Sequence, residues 1–300
     1  MLHHGDNLTI LRERIADASV DLVYLDPPFN SGQAYYATGR RDEGPRFDDR
    51  WEWDAAAVAA ACESVPPAVA DVLRALERIV GAGSDVAYCA FLAPRLAQCA
   101  RVLRPTGSLY LHVDVRMSHY LRLLLDALFG RTNFRNEIAW AYRTGGAGKR
   151  NFARKHDAIL FYGASARAVF HPQYERVRYR KPFFSAQRDD EGWYADVLLR
   201  DVWEIPAVIN VSAERSGYPT QKPLALLERI VIASSNAGDV VLDPFCGSGT
   251  TLVAAQKNGR SWIGIDAAEA ALQVASRRLS ALTRADTGAT DTPPPSPQGP

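Results

Sequence analysis

Val240-Val-Leu-Asp243-Pro-Phe-Cys-Gly247-Ser-Gly249-Thr250-Thr251 reads as a strand ending in an acid, a Gly-x-Gly turn and the first residues of a helix. Glycine accepts the backbone angles of a sharp turn and lets a ligand approach the main chain. The helix that follows offers unpaired N–H groups at its start. The segment therefore has the form of a cradle for a nucleotide-like cofactor. It is not a G-x-x-x-x-G-K-[ST] phosphate loop, because no lysine follows the second glycine, and it lacks the third glycine of a dinucleotide fingerprint. Taken alone, a tight strand–helix turn is the plainer reading. The next strand, Trp262-Ile-Gly-Ile-Asp266, tips the balance, because an acid at its tip suits the hydroxyls of a ribose. The other reading of Asp266 is an N-cap for a helix from Ala267.

Working outward, Leu224 to Ser234, Thr250 to Lys257 and Ala267 to Leu282 have helical spacing, and Asp239 to Leu242 is a strand. Toward the N-terminus, Val20 to Leu25 (VDLVYL) and Ser108 to Val113 read as buried strands. Ala68 to Val80, Phe91 to Leu103 and Tyr120 to Phe129 read as helices, and Arg104-Pro-Thr-Gly as a turn. Alternating strands and helices predict a doubly wound, mostly parallel α/β sheet. Near Asn133 the composition shifts, and strand-like pieces (Glu137 to Tyr142, Ala158 to Tyr162) mix with Gly, Arg and aromatics. The expected division is residues 1–132 as one half of the main domain, 133–216 as an insertion, 217–283 as the cofactor half, and 284–300 as a disordered tail.

The chain has 300 residues, 47% of them hydrophobic, enough for a substantial core. With 35 Lys and Arg against 34 Asp and Glu, a nucleic-acid surface must come from local clustering. Cys62, Cys89, Cys99 and Cys246 form no C-x-x-C pair, which speaks against zinc and for a reduced, cytoplasmic protein. No metal site is expected. No signal-like segment or membrane-length apolar run is present either.

Asp26-Pro27-Pro28-Phe29-Asn30 follows the first buried strand, at the end where open α/β sheets place their sites. Pro28 has no N–H and restricts Pro27, so the Pro27 carbonyl is held at a fixed angle. That carbonyl and the Asp26 carboxylate are two acceptors side by side, with the Phe29 ring beside them. Such a set suits the –NH₂ of a flat ring, the alternative being a rigid turn. Beside the cofactor cradle, the functional reading is favoured.

These residues resemble the β-group amino-methyltransferases of bacterial DNA modification systems. The shared motifs are Asp26-Pro-Pro-Phe, then Tyr218-Pro-Thr-Gln-Lys-Pro223, then Asp243-Pro-Phe-Cys-Gly-Ser-Gly-Thr-Thr, over about Leu2 to Leu282. Their order, catalytic before cofactor motif, marks that group. The resemblance implies a Rossmann-like methyltransferase fold in permuted order, binding S-adenosylmethionine, with an inserted target-recognition region. It implies that Asp243, Phe245, Gly247, Ser248, Gly249 and Thr250 line the cofactor pocket and that Asp266 binds the ribose. Asp6 would lie near the adenine, and Thr220 and Lys222 near the methionine end. For Lys222 a surface helix start is the alternative. Asp26, Pro27, Pro28 and Phe29 would form the catalytic set, Phe29 stacking on a flipped base. Cys246 is read as a space-filler, and no Pro-Cys nucleophile of a cytosine-C5 enzyme is present.

An acid at the first motif position favours adenine N6 within that group. Cytosine N4 is the next reading, followed by a non-catalytic DNA-binding protein of the same fold and an RNA or protein-glutamine methyltransferase. Double-stranded DNA is the implied partner, with a homodimer and a cognate restriction endonuclease as further candidates. Arg143 to His156 (RTGGAGKRNFARKH) holds Arg143, Lys149, Arg150, Arg154 and Lys155 without an acid, and its glycines suit a loop that orders on phosphates. His171 to Arg188 adds basic residues interleaved with aromatics. The alternative for both is a solvated face. The acidic, aromatic loop Asp42 to Asp54 is a candidate cover for the flipped base.

Overall fold

The computed structural model describes residues 1–35, 47–143 and 149–287. In chain order the elements are β1 (Leu2–His4), α1 (Asn7–Arg14), β2 (Val20–Leu25), β3 (Ala34–Tyr35), β4 (Phe47–Asp48), α2 (Ala55–Glu63), α3 (Pro67–Val80) and α4 (Ser84–Val102). They continue with β5 (Leu103–Val113), α5 (Ser118–Phe129), β6 (Phe134–Ala141), β7 (His156–Gly163), β8 (Tyr174–Tyr179), β9 (Gln187–Asp189) and β10 (Gly192–Leu198). The last are β11 (Val202–Glu204), α6 (Leu224–Ser234), β12 (Val240–Asp243), α7 (Thr250–Lys257), β13 (Ser261–Asp266) and α8 (Glu269–Thr287).

Eight strands form one sheet in the order β1-β13-β12-β2-β5-β7-β6-β11. From β1 through β5 every neighbour is parallel, β7 runs antiparallel between β5 and β6, and β11 pairs parallel with β6. This is the doubly wound, mostly parallel sheet the sequence predicts, with the strand before Asp26 preceding the cofactor strand in the chain. Residues of β2 are buried without exception and alternate between two cores. Val23 and Leu25 join the core beneath α1 to α5, while Leu22 and Tyr24 join the one beneath α6 and α7. A strand covered on both faces is mostly apolar rather than alternating, and the one acid in β2, Asp21, pairs with Arg104.

The interval 133–216 differs from a self-contained insertion. Its strands β6, β7 and β11 complete the central sheet, and β8, β10 and β9 form a separate antiparallel sheet. That small sheet springs from the edge where β7 ends, and Gln173 beside it donates to the Arg229 carbonyl in α6. The Arg104-Pro-Thr-Gly turn signal marks a bulge inside β5: Val20 pairs with Leu103 but Leu22 with Ser108. A Cβ on Gly107 would stand 2.8 Å from the Asp21 carbonyl oxygen, so the bulge closes only around glycine. Among the described residues no helix is long and apolar enough to cross a membrane.

Candidate active site

β12 leads through α7 to β13 on one side, whereas β2 leads to β5 on the other, so the chain diverges between these adjacent strands. Open α/β sheets bind ligands at such switch points, outside the carboxyl ends of the strands. A cavity of about 540 Å³ lies there. Its walls include Gly5 and Asp6 after β1, Asp266 at the end of β13, Asp243 at the end of β12, and Asp26 to Phe29 after β2.

The expected cofactor residues Asp6, Thr220, Lys222, Asp243, Phe245, Gly247, Ser248, Thr250 and Asp266 all line this cavity. Gly249 is not among the lining residues. At φ +76° it starts α7, and a Cβ there would stand 2.7 Å from the Ala275 Cβ of α8, so close helix packing is what requires glycine. Gly247, at φ +49°, does face the site; a Cβ there would come within 3.3 Å of the Tyr218 ring.

The acids of the cradle also hold the loop itself. Asp243 is buried and accepts from the Phe245 N–H (3.0 Å) and the Thr251 hydroxyl (2.6 Å). Burial pushes its carboxyl up to about 7 against those bonds, helped by the Asp26 and Asp266 charges. Asp266 accepts from the N–H of Gly247 and of Ala268, both at 2.8 Å, so it braces the glycine loop and caps the following chain at once. Burial raises its carboxyl too. Asp6 caps α1 through the Thr9 N–H and pairs with Arg95 at 2.7 Å. Burial opposes its charge, but these contacts outweigh that and hold its carboxyl below the usual range. Arg278 of α8 donates to the Ser248 carbonyl and to the Ser248 and Thr250 hydroxyls, fixing the start of α7. Cys246 is buried among Leu252, Val253 and Leu279 with its thiol pushed well up by burial, in keeping with a space-filler.

On the target side, Lys222 reaches from the segment before α6 to Asp26, its Nζ lying 2.7 and 2.5 Å from the two carboxylate oxygens. The same Nζ is 5.0 Å from the centre of the Phe29 ring. The resemblance implies that Lys222 lies near the methionine end of the cofactor; it lines the cavity, and its ion pair is with Asp26 of the other motif. Gln221, buried beside it, accepts from the Ser216 N–H and donates to the Glu214 carbonyl, tying the preceding segment down. Thr220 sits at φ +59°, rare for a β-branched residue, on the cavity wall.

Sequence reasoning missed four supports. Buried His112 packs 5.5 Å from the Phe29 ring and lies between the Tyr24 hydroxyl (2.8 Å) and Asp157 (3.2 Å). A carboxylate only accepts, so the Nε2 hydrogen points to Asp157. Burial is the largest single influence and disfavours the Asp157 charge, yet His112, Lys222 and the Tyr142 hydroxyl together outweigh it and keep the carboxyl below the usual range. Arg95, 8% exposed, donates to Asn7, whose amide in turn donates to the Pro244 carbonyl of the cofactor loop at 2.7 Å. An arginine inside the apolar run Leu92-Ala-Pro-Arg-Leu96 was the available signal. Arg278 and the buried Asp49 complete the set.

β7 starts where β5 ends, since Ala158 pairs with Val113, so β6 ends and β7 begins on the edge that carries Asp26. Arg143, Lys149, Arg150 and Arg154 are exposed, and among the described residues none of them forms an ion pair. Lys155 is half-buried. In the His171 to Arg188 run, by contrast, Arg176 pairs with Asp196, and Arg178 with Asp189 and Glu191. Most of the Asp42 to Asp54 loop's first half, residues 42–46, lies outside the described residues.

A family model described as DNA methylase, of the N6/N4 type, matches residues 20–277. The type II methyltransferase M.HpaI of Haemophilus parainfluenzae is 29% identical over 267 residues, covering 89% of this chain and 70% of that protein. The DNA adenine methyltransferase YhdJ of Escherichia coli (strain K12) is 28% identical over 289 residues, covering 92% and 81%. Among solved structures, the PvuII DNA methyltransferase, described as cytosine-N4-specific, has a TM-score of 0.57 at 15% identity over 96% of this chain and 93% of its own, a likeness of fold. With the family match running from β2 into α8 and across both motif-bearing loops, the chain belongs to the N6/N4 DNA methylase family.

Proposed function

We propose that the chain transfers the methyl group of S-adenosylmethionine to the exocyclic amino nitrogen of a base flipped out of duplex DNA, with adenine N6 as the target. The observation that carries this reading is one cavity walled by the Gly247 loop and Asp266 on one side and by Asp26 and Phe29 on the other. The cradle suits the cofactor: Asp266 stands at a strand tip where ribose hydroxyls would meet a carboxylate, and the missing Gly247 side chain leaves room beside Tyr218. Bound there, S-adenosylmethionine supplies a methyl group on a positively charged sulfur.

The rest is the work of this chain's residues. An exocyclic amino nitrogen is a poor nucleophile because its lone pair is delocalised into the ring. Asp26 and the Pro27 carbonyl accept the two amino hydrogens and draw the lone pair back onto nitrogen. A carboxylate has about four acceptor positions, so Asp26 can serve the base while keeping Lys222. Lys222 balances the Asp26 charge in a part-buried site. Phe29 offers its face to the flipped ring, a contact worth about 1–3 kcal/mol per base. The amino nitrogen so held would take up the methyl group that the cofactor supplies, the sulfur leaving as a neutral thioether, and Asp26 would pass the surplus amino proton to solvent. Positioning and fixed electrostatics supply the acceleration. The exposed cations of 143–155 meet DNA phosphates above the pocket.

Adenine is favoured by the acid at position 26 and by the adenine specificity in the name of YhdJ. The test is incubation with unmethylated genomic DNA and methyl-labelled cofactor, followed by nucleoside separation. Labelled N6-methyladenine is expected; labelled N4-methylcytosine would replace the base, and no labelled nucleoside with cofactor bound would overturn the reading. Asp26→Ala should lower transfer by about 100-fold or more with cofactor affinity nearly unchanged.

A further inference from the structure

The turn after Asp26 is wrapped around a carboxylate that neither motif contains. Asp49 is 1% exposed, and its two oxygens take four donors. Oδ2 accepts the N–H of Phe29 (3.1 Å) and of Ser31 (2.8 Å), and Oδ1 accepts the N–H of Asn30 (2.8 Å) and the Trp51 indole N–H (3.0 Å). Its main chain continues the grip, since Gly32 donates to the Asp49 carbonyl and Asp49 donates to Gln33. Among the described residues no cation pairs with it, so its negative charge rests on N–H dipoles. Four donors fill the acceptor capacity of one carboxylate, which makes the arrangement a complete unit. Three successive N–H groups converge only because Asn30 adopts φ +58°, and that residue is itself held by Asp85 at 2.7 Å.

We propose that Asp49 is a positioning residue for methyl transfer: its carboxylate fixes the 29–31 turn, and through it the Phe29 ring and the adjoining Asp26 and Pro27 acceptors, in the arrangement that meets the target base. The proposal rests on the reading that those acceptors grip the base. Trp51 extends the device toward the cofactor. Its indole, hydrogen-bonded to Asp49, packs 4.5 Å from the Phe91 ring, which lies 6.4 Å from Phe245 of the cofactor loop. Asp49 thus references the base-holding turn to the same aromatic wall that borders the cofactor pocket. A loss of about 1 Å in placement costs on the order of 100-fold in rate, and an Asp49→Asn side chain invites it, since an amide turns –NH₂ toward donors it should accept.

The test is single-turnover transfer on unmethylated DNA with the full-length Asp49→Asn protein and cofactor at saturation. The rate constant reports placement, and the amplitude reports the fraction of folded enzyme. The expected result is a rate constant about 100-fold lower, with cofactor and DNA affinities within about threefold of the parent. An unchanged rate constant, at full or reduced amplitude, would reduce Asp49 to a stabilising contact and overturn the proposal. Trp51→Phe keeps an aromatic ring and deletes one donor, and it should slow transfer by about threefold to tenfold. Should Asp49→Asn fail to fold, an unchanged rate constant in Trp51→Phe overturns the proposal in its place. Asp26→Ala run in parallel separates the two ideas. If Asp26→Ala still turns over normally, the base-gripping reading fails, whereas a dead Asp26→Ala beside a normal Asp49→Asn sinks the positioning proposal alone.

Discussion

Asp243 makes folding pH-dependent in a direction opposite to that of most carboxylates. Its ordinary value is 3.8, and burial pushes it up to about 7 in the folded chain, in spite of the hydrogen bonds from Thr251 and Phe245. Between those values the folded protein keeps a proton that the unfolded chain has released. The unfolded state therefore binds fewer protons, and stability falls as pH rises, by about 1.4 kcal/mol per unit at the steepest. Allowing for curvature near the upper value, the loss from about pH 5 to about pH 7 is roughly 2 kcal/mol, and little more is lost above. Asp243→Asn has no proton to lose. Urea unfolding of both proteins across this range isolates Asp243 together with its coupling to Asp26 and Asp266, because the remaining titrations cancel in the difference. The stability of the variant relative to the parent should rise by roughly 2 kcal/mol between the two pH values. Parallel curves would mean that Asp243 is ionised in the folded state and that the buried cradle is better solvated than its 2% exposure implies.

Two other perturbations test different parts of the site. Gly249→Val places a β-branched side chain at φ +76° against Ala275, and should lower unfolding free energy by roughly 3–5 kcal/mol. Near-normal stability with cofactor affinity lost would return that glycine to the pocket. Replacing Lys149, Arg150 and Arg154 together with alanine should weaken DNA binding and flatten the slope of log affinity against log salt by up to about 2.7. An unchanged slope would move the phosphate-contacting surface elsewhere.

The parts of the site legible in the sequence are those whose chemistry is local. Asp26-Pro-Pro-Phe and the Gly247 loop announce themselves because proline and glycine restrict or free the backbone where they stand. What stayed hidden depends on partners distant in the chain. β6 and β7 read as pieces of an insertion because Arg, Gly and aromatics surround them, yet pairing of β7 with β5 draws both into the main sheet. β1 spans three residues, too few for any periodicity. α2 is almost uniformly alanine and carries no apolar stripe to read, and its start is fixed by the Asp54 cap. α4 begins at Ser84, ahead of the expected Phe91, and continues through Pro94. Asp49 looked like one acid among several in a charged loop, and only burial under the 29–31 turn distinguishes it.

The two halves of the site are aligned by α4, which belongs to neither motif. Its first turn holds the base-side loop through the bond from Asn30 to Asp85. One and two turns later, Tyr88 and Phe91 carry the Trp51 ring. One turn beyond Phe91, Arg95 stacks on that ring at 3.6 Å and reaches the cofactor loop through Asn7 and the Pro244 carbonyl. Pro94 has no N–H to offer the Ala90 carbonyl, and Arg95 Nη1 donates to the neighbouring Phe91 carbonyl, supporting the helix from the side at its weakest point. A sulfonium methyl and an amino nitrogen react only when held in line to within a fraction of an ångström. The paired strands β12 and β2 set the two motif loops side by side where the chain connections diverge. With α4 packed beneath both, the Asp26 turn and the Gly247 loop are referenced to one helix as well as to that strand pair.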